Sequence, residues 1–150
     1  MGCDSCEIRN LIYQYADYID RGELHAVAAM FRQGSVVAIA GDGSESVIEG
    51  EEAIYGMYSS FTRLYEDDGT PHTMHMTTNV IVEMDTDGQG AGARSYAVVM
   101  QAVEGLPLQP IIGVRYYDRF AKNNGRWQFH QRKIETLLAG DLSRHLLRSM

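Results

Sequence analysis

Beyond residue 71 the chain is almost continuous strand-forming sequence, broken only by short connections. Four long runs stand out: His72 to Met84, Gly92 to Val103, Ile111 to Lys122 and Arg126 to Thr136. Between them lie Asp85-Thr86-Asp87-Gly88, a loop around Pro107 and Pro110, and Asn123-Asn124-Gly125, the last a strong hairpin signal. A parallel crossover needs a dozen or more residues, so neighbouring runs are expected to pair antiparallel. A sheet of this kind needs cover on at least one face, and that cover has to come from the first half of the chain.

The first half reads as helices. Ile8, Leu11, Ile12, Tyr15 and Ile19 recur at three and four residues, which predicts a helix over 7–20. Asp4 and Glu7 fit a cap and its third-position partner, and Gly22 is a natural stop. A second short helix fits Glu23 to Phe31, with Leu24, Val27, Ala28 and Phe31 inward. Ser35 to Ala40 and Ser46 to Glu49 read as a strand and its short return around Gly41-Asp42-Gly43-Ser44. A third helix fits Glu51 to Tyr65, with Ile54, Met57, Tyr58, Phe61 and Tyr65 as its apolar stripe. The tail from Leu137 reads as a short helix or an arm. Helices first and a meander after give an α+β fold, a single domain over 1–150. Its curved antiparallel sheet wraps over three helices as a cone, and the space between sheet and helices is the default place for a ligand.

Composition narrows the partners. The formal net charge of −7 disfavours nucleic acid, which needs clustered Lys and Arg, and anionic membrane surfaces. No run of eighteen apolar residues is present to span a bilayer, and the N-terminus lacks a signal peptide's apolar segment. Met1-Gly2-Cys3 misses the myristoylation pattern, which wants Ser or Thr where Cys6 stands. Cys3 and Cys6 are spaced as a redox pair or half a zinc site. Only His72 and His75 could complete a zinc site, and no strand leads into the pair. Two free thiols in a frayed N-terminal turn, in a reducing cytoplasm, is the expectation.

Few residues single themselves out for chemistry. Tyr15 lies on the apolar face of the first helix, where a buried tyrosine directs its hydroxyl at a partner. Asp20 ends that helix, against the helix dipole. Alternation places Thr73, His75, Thr77 and Asn79 on one strand face, with Met74, Met76, Thr78 and Val80 on the other. The His75 face therefore meets water or a pocket with polar lining, and alternation alone favours water. Arg132 shares a face with Gln128 and His130 and reads the same way.

Three segments carry a resemblance. They are Ile8 to Phe31 (with Tyr15, Asp20, Gly22 and Phe31 in place), His75 to Glu83, and Tyr116 to Glu135 with its Tyr-x-Asp and Trp-to-Arg pattern. In order and spacing the chain resembles the SnoaL-like branch of the nuclear transport factor 2-like superfamily. Within it the pattern is most similar to the lyases: scytalone dehydratase, bile acid 7-alpha-dehydratase and lindane dehydrochlorinase. The resemblance implies a His–Asp pair inside the cone, with His75 as base, Asp20 orienting it, Tyr15 holding a carbonyl or leaving group and Arg132 stabilising negative charge. It implies elimination or a double-bond shift with no cofactor or metal. The substrate would be a small apolar cyclic molecule such as a steroid, a polyketide fragment or an aromatic breakdown product. The alternative is a binding module or assembly subunit, as in ring-hydroxylating dioxygenase small subunits. A monooxygenase-like or epoxide-hydrolase-like relative is a third reading, and His75 does not suit the latter. Expected wall residues are Phe31, Tyr55, Tyr58, Phe61, Met74, Tyr96, Met100 and Trp127. His72 is expected in a loop. Apolar residues opposite His75, namely Met74, Met76, Val80, Val82 and Met84, suggest self-association, with a trimer preferred over a dimer.

On an ideal helix Tyr15 and Asp20 point about 140° apart. Both can line one cavity only if Asp20 sits where the helix is already ending.

Overall fold

The computed structural model describes residues 2–148. Three helices, α1 (Asp4–Asp20), α2 (Leu24–Ala29) and α3 (Glu51–Phe61), accompany six strands. The strands are β1 (Ser35–Ile39), β2 (Glu45–Glu49), β3 (Thr73–Met84), β4 (Gly90–Val103), β5 (Leu106–Asn123) and β6 (Arg126–Ala139). They form one curved sheet in the order β2-β1-β6-β5-β4-β3. β3 to β6 make the expected antiparallel meander. The sheet is mixed, however, because β1 enters parallel to β6. Gly34 permits that entry: a Cβ there would lie 2.7 Å from the Phe129 carbonyl oxygen.

The α1 stripe Ile8, Ile12, Tyr15 and Ile19 is buried and packs with Val27, Phe31 and Ile54 against Phe120, Trp127 and Phe129 of the sheet. Burying a side chain of this kind is worth roughly 1.5–3 kcal/mol, so the stripe alone anchors the helix firmly.

Element ends differ from expectation for local reasons. α3 stops at Phe61 because Thr62 turns extended and bridges Leu146 of the tail. The tail is an arm rather than a helix. β5 begins at Leu106, since Pro110 is accommodated at a register shift in its pairing with β4. The cap of α1 is Cys3, not Asp4, and Cys3 and Cys6 form a disulfide across the first turn rather than two free thiols. The inference of a reducing compartment from free thiols therefore lapses.

Two bulges re-aim side chains. In β3 the register slips between Thr78 and Ile81, with Asn79 at φ 54°. Before the slip Met74 and Met76 are exposed; after it Val80 and Val82 turn to the core and Ile81 turns out. Val80 and Val82 thus do not belong to the outer apolar set. In the β5–β6 pairing Arg119 faces Gln131 but Phe120 faces Phe129, so Phe129 and Arg132 are both buried.

Candidate active site

α1 brings Asp20 to the site by ending there. Glu23 N–H donates to the Tyr18 carbonyl at 2.8 Å and Gly22 N–H to the Ile19 carbonyl at 2.9 Å, a Schellman closure with Gly22 at φ 74°. A Cβ on Gly22 would stand 2.1 Å from the Gly69 carbonyl oxygen, so glycine is required twice over. Asp20 is the last helical residue, just before the chain turns away through Arg21 and Gly22.

β3 supplies the partner. His75 Nδ1 lies 2.6 Å from Asp20 Oδ1, the His75 backbone N–H donates to Oδ2 at 2.8 Å, and the Thr73 hydroxyl donates to Oδ1 at 2.8 Å. The His75 side chain is only 6 % exposed and that of Asp20 20 %. The inner side of β3 before its bulge thus faces the helices, not the water that alternation favoured. Burial works to raise the Asp20 pKa, but the His75 and Thr73 hydrogen bonds outweigh it and hold the carboxyl below its ordinary value. An ionised Asp20 accepts at Nδ1, so the imidazole proton belongs there and the lone pair falls on Nε2. Among the described residues, no group hydrogen-bonds to Nε2.

A second polar cluster surrounds Arg132. Asp118 accepts from Nε and Nη2, both at 2.8 Å, and neither side chain is exposed. The guanidinium lies 3.7 Å from the Tyr116 ring centre and 4.3 Å from that of Tyr15. Only Nη1 is left without a partner. The Tyr15 and Tyr58 hydroxyls are hydrogen-bonded to each other. Burial above all raises the pKa of both phenols, which keeps them protonated and able to donate. Burial also pushes the Asp118 carboxyl up, against the pull of Arg132.

The expected wall divides. Phe31 packs edge-on to Tyr15, with ring centres 6.2 Å apart, and Tyr58 joins the same group. Tyr55 instead stacks on His25, and Phe61 is covered by Arg148 of the tail. Met74, Tyr96 and Met100 lie on the outer face: Met74 pairs with Met100, and Tyr96 accepts from Arg115. Strand alternation decides this, since Ser95, Ala97, Val99 and Gln101 take the inner positions. Trp127 donates to Asp4 at 3.0 Å, at the opposite end of α1 from Asp20, roughly 24 Å along the helix. His72 is a loop residue, 2.9 Å from Asp67.

Asp118 went unassigned in the sequence, although Tyr116, Asp118 and Phe120 alternate inward and the Tyr-x-Asp pattern contains it. Thr73 and Tyr116 were likewise given no role. A surface depression of about 560 Å³, lined by Tyr65, His72, Val103 and the tail's Arg144 among others, contains neither His75 nor Asp20.

Six strands curved over three helices make the α+β architecture of the cystatin-like, nuclear transport factor 2-like fold. The chain belongs to the SnoaL-like domain family, whose model matches residues 3–133. An NTF2-like protein with a cystatin-like fold from Novosphingobium aromaticivorans is similar at 20 % identity and TM-score 0.73, over 94 % of this chain and 86 % of that one. A putative scytalone dehydratase from the same organism is similar at 19 % identity and TM-score 0.68, over 93 % of each chain. LinA is similar at 18 % identity and TM-score 0.69, over 93 % of this chain and 90 % of its own. At such identities the likeness is one of fold. No curated protein matches the chain.

Proposed function

We propose that this protein is a cofactor-independent lyase, a dehydratase or similar eliminating enzyme, or a double-bond isomerase working by the same proton chemistry. The observation that carries the reading is the 2.6 Å contact between Asp20 and His75 Nδ1, which leaves Nε2 as an unpaired base. In the reaction, Nε2 takes a proton from carbon next to a carbonyl. The C–H electron pair becomes the new double bond as the bond to the leaving group on the adjacent carbon breaks. His75 returns the proton to a departing hydroxide, giving water; in isomerisation it returns it to a different carbon. Asp20 holds the ring and stabilises the imidazolium, the base-and-orienter part of a triad. Tyr15, with Tyr58, donates to the carbonyl oxygen as it gains charge. Arg132 has most of its charge engaged by Asp118, so it contributes Nη1 and the seat of the Tyr15 ring.

Similarity to a putative scytalone dehydratase and to LinA supports the choice of reaction class. Exposed Met74, Met76, Ile81 and Met84 on the outer face support self-association, for which a trimer is expected by light scattering.

The test uses the aldol of benzaldehyde and acetone, a β-hydroxy ketone whose dehydration gives a strongly absorbing enone. Wild type should form the enone, and His75→Ala should lose about three orders of magnitude in rate. A wild type inert toward this and other β-hydroxy and β-halo carbonyl compounds would point to a binding module instead.

A further inference from the structure

Five buried side-chain atoms lack a hydrogen-bond partner among the described residues: Arg63 Nε, Ser95 Oγ, Gln101 Oε1, Arg132 Nη1 and His145 Nδ1. Buried polar atoms are nearly always paired, so each of these raises the question of what else supplies its partner. Ser95 and Gln101 are on the inner face of β4. His145 comes from the tail, which carries no periodic pattern and gave no signal in the sequence.

The tail is seated on the dyad's strand pair. Gln101 stands opposite Thr73, whose hydroxyl binds Asp20. Gln101 Nε2 donates to the carbonyls of Pro71 at 3.0 Å and Arg144 at 3.1 Å. The tail backbone is fixed independently, through Arg63 N–H to the His145 carbonyl and Leu147 N–H to the Phe61 carbonyl, each at 2.8 Å. His145 is therefore held by its main chain at 9 % exposure while its ring nitrogen has no protein partner. Burial first, then the charge of His75, pushes its pKa down to about 4 against the opposing pull of Asp20. A neutral imidazole offers one N–H and one lone pair, so it can serve either sense of hydrogen bond.

Resting on the dyad reading above, we propose that His145 binds a second oxygen of the ligand, apart from the oxygen held by Tyr15 and Tyr58. The pocket then takes a ring compound with at least two oxygen functions, in preference to a hydrocarbon or halocarbon. Gln101, already hydrogen-bonded to the Arg144 carbonyl beside His145, adds the unpartnered acceptor Oε1, which suits a hydroxyl substituent.

Phenol and resorcinol, which differ by one hydroxyl, test this by titration calorimetry. Wild type should bind resorcinol about tenfold more tightly, the worth of one buried neutral hydrogen bond. His145→Phe should abolish that preference while still binding phenol, and its melting temperature should hold because the tail is fixed by main-chain bonds. His145→Gln, which keeps a donor and an acceptor, should retain part of the preference. His75→Ala separates the two ideas: it should lose elimination activity yet keep the preference for resorcinol. The proposal is overturned if His145→Phe and His145→Gln both discriminate as wild type does, or if wild type binds neither compound.

Discussion

Among the described residues, two carboxylates in the cone, Asp118 and Asp20, are paired in ways that could hardly differ more. Asp118 and Arg132 meet with two parallel bonds at 2.8 Å and no exposure, so nearly every polar atom is committed. Asp20 and His75 meet through one imidazole nitrogen, with the other free and the pair slightly open. A guanidinium does not give up its proton, whereas an imidazole can take and return one, so of the two only the second pair can carry protons. The first pair is chiefly architecture: its guanidinium seats the Tyr15 and Tyr116 rings, on which the hydroxyl donors depend. Burial pushes the Asp118 carboxyl up, while hydrogen bonds hold the Asp20 carboxyl down.

Breaking each pair should therefore damage different properties. Asp20→Asn should reduce elimination by about 10⁴-fold, since an amide can stabilise the wrong tautomer, while unfolding free energy falls by only about 1–2 kcal/mol. Kinetics with the aldol and urea melts measure the two. Arg132→Met should cost about 3–5 kcal/mol by leaving Asp118 buried and unpaired, and should lower activity less than Asp20→Asn does, through the lost seat of the Tyr15 ring. Adding Asp118→Leu should return most of that stability, and failure to do so would mean that the Tyr ring stack needs the cation itself. Gly22→Ala should cost about 1–3 kcal/mol, from positive φ and the clash with Gly69, and should also lower activity because it shifts the end of α1. The smallest effect is in acid. The Asp20 pKa is lower folded than unfolded, so its contribution to stability is present above about pH 4 and is lost as pH falls through the folded value. Asp20→Asn should remove the slope of stability against pH in that window, and near neutrality the variant should stay about 1–2 kcal/mol less stable than wild type.

Much of this comparison was legible in the sequence, but unevenly. The α1 stripe, the Gly22 stop and the Asn124-Gly125 hairpin follow local rules that tertiary context did not override. The His75 strand was identified correctly, yet its direction was not, because alternation separates two faces without saying which is inside. Arg132 was harder still. A bulge between Phe129 and Arg132 moves the arginine to the face of Trp127 and Phe129, and period-two counting cannot see an inserted residue. The same effect at Asn79 turned Val80 and Val82 inward. Tyr96 and Met100 suit a pocket wall by residue type alone, and their strand positions, even-numbered where the inner face is odd, send them outward. His145 lies beyond the last regular element, where only three-dimensional packing assigns a place.

The central claim is that Asp20 fixes the proton on His75 Nδ1 and leaves Nε2 as the base. Two-dimensional ¹H–¹⁵N spectra of the histidine rings near neutral pH test it directly, with His75→Gln assigning the resonance. Wild type should show the Nδ1–H tautomer with a strongly deshielded ring proton, and Asp20→Asn should lose that proton signal. A His75 that carries its proton on Nε2 in the wild type would contradict the account.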